Sequence, residues 1–410
     1  EYMAFEGCTN LTKMEIPNSV TVIGNRAFRD CTGMTEISLP DGLEEIGHMA
    51  FEHCTGLLEI VVPDTVKSLG HSLFKGCTSL RKVYLSDSVT VLEMETFSNC
   101  LLLTELHLPA GLLTVRSSAF ANCDSLKEIV LPEQVKQVET KAFYDCDGLV
   151  KAVIPDSVTD MGTSVFAECE LLNDVTLGTG ITTIPSYTFE LCPSLQKIVL
   201  PYRTAVIKRY AFKDSAKFTE VTIPRATTTI EEEAFSYPLK LIIYGVSGTY
   251  AETYAENVGA TFVNQEKKAT EVRLNKTELK LANGRKTKLV LSVTPSDFTD
   301  EVSWKSSDEK VVQVADTGEI TAWSLGTATI KVTVGDVSAS CKVTVTQPVT
   351  SISLNVTSLV LEAGDTQKLT ATVSPSSAEN KEITWSTSNE EIVTVDEQGL
   401  VTGHRKGSAT

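Results

Sequence analysis

Nine cysteines recur at intervals of 23 residues and are the most conspicuous reactive groups in the sequence. They are Cys8, Cys31, Cys54, Cys77, Cys100, Cys123, Cys146, Cys169 and Cys192. On adjacent turns of a repeat structure, such thiols could approach closely enough for disulfides or a string of metal ions. Each one, however, follows a phenylalanine by three residues and shares its apolar face, and free cysteine is among the most buried residue types. We therefore expect a packed column of thiols, with Cys341 outside the series.

Two of the five histidines, His48 and His71, are also 23 residues apart and could share a divalent ion. The same position elsewhere holds Asn25, Met94 and Thr140, which favours a solvated loop. The sequence contains no metalloprotease, hydrolase, P-loop or paired Cys-x-x-Cys motif, and its acidic residues are spread rather than paired. We predict that this segment is not an enzyme and has no catalytic residue, cofactor or metal ion.

Eleven phenylalanines recur with the same 23-residue period as the cysteines. They are Phe5, Phe28, Phe51, Phe74, Phe97, Phe120, Phe143, Phe166, Phe189, Phe212 and Phe235. Proline recurs on the same period at Pro17, Pro40, Pro63, Pro109, Pro132, Pro155, Pro201 and Pro224, with Ser86 and Gly178 as exceptions. After Cys192, the cysteine position is taken by Ser215 and Pro238. Three ladders in one register predict a tandem repeat of one structural unit.

One unit, residues 11–34, shows how the chain should fold. Alternation through Met14, Glu15 and Ile16 predicts a short strand, and Pro17 ends it because proline has no N–H to donate. The chain then turns inward and returns. The apolar residues of the return segment are spaced like one face of a short helical turn, namely Ala27, Phe28, Cys31 and Met34.

A single unit cannot bury its apolar side, whereas stacked units share one core. We therefore predict a mostly β protein whose first part, residues 1–265, is a right-handed, curved solenoid of about eleven coils. A terminal coil would leave its core and its strand edge exposed. The period breaks after Ile242, and an amphipathic helical pattern follows, so we expect a C-terminal cap near residues 242–263.

The second half of the chain contains two copies of another module, spaced by about 80 residues. Short Val-, Thr- and Ile-rich runs separated by turn residues predict β-sandwiches at residues 266–347 and 348–410. Trp304 and Trp385 are equivalent positions in the two copies. The second copy stops at Thr410, before the final strands of the first, so we expect it to be incomplete or loosely held.

The repeat pattern xxVxxIGxxAFxxCxxL resembles the leucine-rich repeats of the BspA-like (treponemal, LRR_5-type) family. The pattern SVTPSDFTDEVSWKSSDEKVVQVADTGEITAWSLGTATIKV is similar to the group 2 bacterial immunoglobulin-like (Big_2) domains, which are common spacers in surface proteins. These resemblances imply a non-enzymatic bacterial protein at the cell surface or outside the cell. They also imply partners such as host matrix or plasma proteins, or other bacteria.

The charge balance narrows the range of partners. A net charge of −17 opposes the counterion release that drives binding to nucleic acid, so no nucleic-acid partner is expected. No apolar run reaches the length of a membrane span, and residues 1–6 show no signal-peptide pattern. Both ends of the sequence look cut through a repeat unit. We expect a monomer without membrane insertion in this segment.

The residues that the repeat does not dictate are the best candidates for ligand binding. In each coil, the two outward strand positions form ladders on the inner curve, which is the usual binding surface of a solenoid. One ladder alternates in charge, and pairs such as Lys82 with Glu105 can support the register. The middle of the other is apolar and aromatic, and it consists of Tyr84, His107, Val130 and Val153. These four residues are our candidate ligand-binding site, although β-branched residues also simply suit strands.

The leading hypothesis is an adhesion or recognition protein that binds a protein or glycan ligand through the concave face, with immunoglobulin-like spacers. The alternative is the targeting region of a larger cell-wall or glycan-processing enzyme. An intracellular scaffold conflicts with the Big_2-like modules.

Overall fold

The computed structural model describes residues 1–236, 240–378 and 380–410. The chain divides into two compact units, the first comprising residues 1–268 with 295–300, and the second residues 269–294 with 301–410. The predicted architecture is confirmed, since a mostly β solenoid of about eleven turns is followed by an immunoglobulin-like region. Pro238, which was expected at the end of the cysteine ladder, lies outside the described residues.

Three-residue strands, one per coil, form what we call the long-strand ladder. They pair in parallel, within four runs, with a strand 23 residues away, as in Lys13 opposite Glu36. The middle residue of each points into the core and its neighbours face outward. The strands are Lys13–Glu15, Glu36–Ser38, Glu59–Val61, Lys82–Tyr84, Glu105–His107, Glu128–Val130, Lys151–Val153, Asp174–Thr176, Lys197–Val199 and Glu220–Thr222.

Two-residue strands form a second, short-strand ladder. They are Val22–Ile23, Glu45–Ile46, Ser68–Leu69, Val91–Leu92, Thr114–Val115, Gln137–Val138, Asp160–Met161, Thr183–Ile184, Val206–Ile207 and Thr229–Ile230. They pair in parallel in three runs, the second of which ends at Asp160–Met161 and the third of which begins at Thr183–Ile184. The second residue of almost every strand is buried.

The segment around each phenylalanine is a series of turns, so the predicted helical turn was wrong for the backbone. Arg26 and Asp30 adopt left-handed φ angles of 57° and 58°, and the coils of Phe5 to Phe212 all have residues of this kind on both sides of the phenylalanine. Such residues redirect alternate amides toward the next coil. Phe28 N–H thereby donates to the Ala50 carbonyl at 2.8 Å, and a third ladder of bonds between coils results. The inward positions were right, because Ala27, Phe28, Cys31 and Met34 are all buried.

The solenoid is closed by two further strands and a helix. Ile242–Gly245 extends the long-strand ladder, and Thr261–Asn264 pairs with it in parallel. Between them lies the helix Tyr250–Val258, which buries Ala251 and Ala255 and ends at Gly259 in the left-handed conformation, with φ 73°. These elements cover the core of the last coil where the 23-residue pattern stops.

The first immunoglobulin-like copy is a sandwich of nine strands. They are Glu271–Leu274, Glu278–Ala282, Lys286–Lys288, Leu291–Thr294, Val302–Ser306, Val312–Val314, Glu319–Ala322, Gly326–Val334 and Val337–Thr346. The last two form a long antiparallel hairpin, against whose edges Glu278–Ala282 and Val302–Ser306 pair. Trp304 and Cys341 are buried in this sheet.

The second copy has five strands among its described residues. They are Ser351–Leu354, Thr366–Lys368, Ala371–Ser374, Val393–Val395 and Leu400–Gly403. They form one two-stranded and one three-stranded antiparallel sheet. Two apolar side chains are exposed here, Val360 to 93% and Ile352 to 57%.

Candidate functional site

The cysteine column is a structural feature of the core. The thiols of Cys31 to Cys192 each donate a hydrogen bond to the phenylalanine carbonyl of the preceding coil, as Cys54 does to Phe28 at 3.1 Å. Ser215 makes the equivalent bond to Phe189 at 2.7 Å. The same carbonyl also accepts a backbone N–H within its own coil, as Phe28 does from Cys31. The thiol therefore supplies a second donor to a buried carbonyl oxygen.

The chemistry of these thiols follows from their burial. Burial raises the pKa of Cys77 and of Cys192 to about 12. A neutral thiol is a poor nucleophile and a poor metal ligand, because both roles require the thiolate. All the cysteines are free, and Cys8, in the first coil, is exposed. The column thus stabilises the stacking of coils and is not arranged for catalysis.

The histidines at the shared repeat position are stacked on each other. The ring centroids of His48 and His71 lie 4.3 Å apart. Nδ1 of His48 accepts the backbone N–H of His71 at 3.0 Å, just as Oδ1 of Asn25 accepts the backbone N–H of His48 at 2.8 Å. His48 therefore takes the place of an asparagine in a ladder of acceptors. Within the described residues, no three His, Cys, Asp or Glu side chains converge in a way that could hold a metal ion.

Two of the four candidate ligand-binding residues form a close pair. Tyr84 and His107 are directly opposite in adjacent strands, with ring centroids 6.3 Å apart. Nζ of Lys82 lies 5.1 Å from the Tyr84 ring centroid and 2.9 Å from a carboxylate oxygen of Glu105. Hydrogen bonds to Tyr84 and to Glu105 raise the pKa of Lys82, which keeps this lysine charged beside the aromatic ring. On the other side, Nε2 of His107 lies 3.6 Å from Oδ1 of Asp87.

Val130 and Val153 form the second pair. They are opposite each other in the strands Glu128–Val130 and Lys151–Val153. Among the described residues, no strand pairing joins Glu105–His107 to Glu128–Val130, so the four candidates fall into two pairs on separate runs of the ladder. Val130 is 53% exposed, which is high for an apolar side chain.

Sequence reasoning left one neighbour out of the candidate site. Val61 lies directly opposite Tyr84 and is 61% exposed. Its apolar type at the same repeat position was the signal that could have included it. We call these five residues the strand-face stripe, consisting of Val61, Tyr84, His107, Val130 and Val153.

The charged ladder beside the stripe pairs as expected. Lys82 contacts Glu105, and Nζ of Lys151 lies 2.7 Å from Glu128. Both pairs are largely exposed, so each contributes little to stability.

Comparison with known proteins identifies the family. The BspA type leucine rich repeat region matches residues 1–127 and 113–242, and the bacterial Ig-like domain (group 2) matches residues 268–345 and 348–410. The chain belongs to the BspA-type leucine-rich repeat family and carries group 2 bacterial Ig-like domains. No helix in the described ranges is long and apolar enough to span a bilayer.

Individual relatives match over part of their length. An uncharacterized protein of Clostridium acetobutylicum is 36% identical over 40% of this chain, and an alpha-L-arabinofuranosidase of Bifidobacterium longum is 35% identical over 28% of it. The chain spans 16% and 12% of the lengths of these two proteins. The crystal structure of a leucine rich cell surface protein from Faecalibacterium prausnitzii is 29% identical, with 64% of this chain and 79% of that chain covered and a TM-score of 0.41.

Proposed function

We propose that this chain is the recognition part of a bacterial cell-surface or secreted protein. In this proposal it binds a protein or glycan ligand, on host matrix or on other bacteria, through the strand-face stripe. The observation that carries the proposal is the exposure of that stripe. Exposed apolar and aromatic side chains bordered by polar groups are a common make-up of an interaction surface.

The scaffold argues for a role in binding. The repeat pattern accounts for the buried phenylalanines and cysteines, and the thiols are held neutral, so little reactive chemistry remains in the solenoid. Membership of the BspA-type family supports a position outside the cell. We assign ligand binding to residues 1–265 and a spacer role to residues 266–347 and 348–410. We expect the chain to act as a monomer.

A second function is favoured by one comparison. The partial match to a protein named alpha-L-arabinofuranosidase is consistent with a targeting region within a larger glycan-processing enzyme. The sequence of the complete gene distinguishes the two proposals. A hydrolase domain elsewhere in the gene supports the targeting role, whereas a surface anchor without one supports adhesion.

The proposal is tested by a binding screen of the whole chain against immobilised host matrix proteins, plasma proteins and glycans. Any ligand found is then titrated with residues 1–265 and with residues 266–410 as separate competitors. We expect the solenoid fragment to compete and the immunoglobulin-like fragment to be inactive. Competition by residues 266–410 alone, or no ligand in the screen, would contradict the proposal.

A further inference from the structure

Among the described residues, the short-strand ladder is interrupted after Ser68–Leu69 and after Asp160–Met161, and the second interruption is at a proline. In the intact stretches, the residue after each two-residue strand donates its backbone N–H to the preceding coil, as Gly162 does to the Val138 carbonyl at 2.8 Å. Pro185 occupies that position in the next coil and has no N–H. The carbonyl of Met161 therefore cannot receive the equivalent bond. Within the described residues, the strands Asp160–Met161 and Thr183–Ile184 are not paired.

A cleft of about 490 Å³ lies at this interruption. It is bounded by residues of two successive coils, and by Lys208 and Glu231 from the two coils that follow. Hydroxyl groups dominate its polar lining, namely those of Thr159, Thr163, Thr182, Thr183 and Ser186. Met161 and Pro185 add an apolar part. The volume lies within the range of small-molecule binding sites.

The charged groups of the cleft are already neutralised. Nζ of Lys208 lies 2.6 Å from Oε1 of Glu231, and Oδ2 of Asp160 accepts a hydrogen bond from Nε2 of Gln137 at 2.8 Å. With one lysine against two carboxylates, the lining offers no free cation for an anionic ligand. It offers instead a mixture of hydroxyls, which both donate and accept hydrogen bonds.

An aromatic residue is next in sequence to one of the residues that line the cleft. Tyr187 follows Ser186 directly, and its ring centroid lies 5.1 Å from that of Tyr210 in the next coil. In the preceding coil the same repeat position is Ser164, which is too small to cover the other face of the Tyr187 ring. A tyrosine provides both an apolar face and a polar tip.

We propose that this cleft is a binding site for a neutral saccharide, separate from the strand-face stripe. Sugar hydroxyls match the hydroxyl-rich lining, and the ring carbons match the apolar contribution of Met161 and Pro185. Tyr187, next to Ser186 in the chain, is the nearest aromatic residue in sequence. An added peptide strand fits less well. The unpaired edges are only two residues long, which is too short for the run of main-chain bonds on which strand addition depends.

The site is tested with the whole chain and three neutral probes, cellotetraose, chitotetraose and maltotetraose. Binding is detected by saturation-transfer NMR and quantified by calorimetry. We expect at least one probe to bind. The double variant Thr183→Val/Ser186→Ala should weaken binding about tenfold or more, because two hydrogen-bonding hydroxyls are lost. Thr229→Val is the matched control, since Thr229 has the same strand position two coils away and does not line the cleft.

A second variant tests the cause of the cleft. Pro185→Gly restores an N–H at a position where Gly162 already makes the bond between coils, so it should close the cleft and abolish binding while the circular dichroism spectrum stays unchanged. The proposal is overturned if none of the probes binds. Equal binding by wild type, Pro185→Gly and the double variant would also overturn it, as would tighter binding of anionic tetragalacturonate than of every neutral probe.

Discussion

In the solenoid, each strand pairs with its own copy one coil away, whereas in the immunoglobulin-like region strands pair across long stretches of chain. Lys13 is opposite Glu36, but Glu278 is opposite Lys342. In the first immunoglobulin-like copy, the central element is the hairpin Gly326–Val334 and Val337–Thr346, and both of its edges pair with other strands.

The strands Glu278–Ala282 and Val302–Ser306 pair with the two edges of that hairpin, so this sheet joins distant parts of the chain. In the second copy, Thr366–Lys368 likewise pairs with the distant strand Leu400–Gly403. Coils that pair with neighbours tolerate irregularities locally, as at Pro185, because each coil contacts only the coils beside it.

The largest expected difference between the two regions is in alkaline solution. Burial raises the pKa of Cys77 and Cys192 to about 12, well above the value of about 8.5 for an exposed thiol. Because the pKa of these thiols is higher in the folded state than in the unfolded state, they stabilise the fold fully at a pH below the unfolded-state pKa. That contribution is lost as the pH rises toward 12. The immunoglobulin-like region has the single Cys341. Differential scanning calorimetry at increasing pH should therefore show the solenoid transition falling more steeply.

Parallel melts of a variant with Cys77, Cys100 and Cys123 replaced by serine provide the control. Serine does not titrate in this range, so the melting temperature of the solenoid should fall less steeply with pH in this variant than in the wild type. Identical slopes for the two proteins would show that other groups cause the alkaline loss.

The next largest effect concerns the phenylalanine stack. The Phe120 ring is fully buried, with the rings of Phe97 and Phe143 each 5.2 Å away. Phe120→Ala should lower the free energy of unfolding of the solenoid by about 3–5 kcal/mol, because it leaves a cavity in the shared core. Denaturant titration monitored by circular dichroism measures this. Val360→Ala, at a site that is 93% exposed in the second immunoglobulin-like copy, should change almost nothing.

If Phe120→Ala cost less than about 1 kcal/mol, the coils would not share a tightly packed core. A cost for Val360→Ala similar to that of Phe120→Ala would show that the loss of stability does not depend on burial.

The smallest effect separates hydrogen bonding from packing in the cysteine column. Cys100→Ser keeps a donor for the Phe74 carbonyl, as Ser215 does for Phe189, whereas Cys100→Ala leaves that carbonyl with one bond fewer. We expect the alanine variant to be less stable than the serine variant by about 1 kcal/mol, measured by denaturant titration. Equal stabilities would indicate that the thiol contributes through its volume alone.

The sequence predicted the solenoid because period and residue type agreed in every coil, but it did not predict the path of the return segment. The left-handed residues before each phenylalanine include Arg26, Met49 and Tyr187, types without a preference for that conformation. The left-handed residues after each phenylalanine include Asp30, Asn99 and Gly76, types that do favour this conformation. The sequence therefore indicated only the second of the two left-handed positions in each coil.

The candidate site was predictable to the same partial degree. The constant register placed Tyr84 beside His107. It did not predict that the described strands Glu105–His107 and Glu128–Val130 would be unpaired, because that depends on how adjacent coils stack. Pro185 occupies the position of Gly162 and Lys208 in the neighbouring coils, so the sequence alone indicated that one hydrogen bond between coils is missing. The cleft at this position could not be predicted from the sequence.

The most direct test of the proposed function is the affinity of the double variant Tyr84→Ala/His107→Ala for a ligand found in the screen. Val199→Ala/Thr222→Ala is the matched control, since these residues have the same ladder position outside the stripe. We predict a clear loss of affinity for the first pair, none for the second, and unchanged melting temperatures for both. Unchanged affinity in the Tyr84→Ala/His107→Ala variant would contradict a binding role for the strand-face stripe.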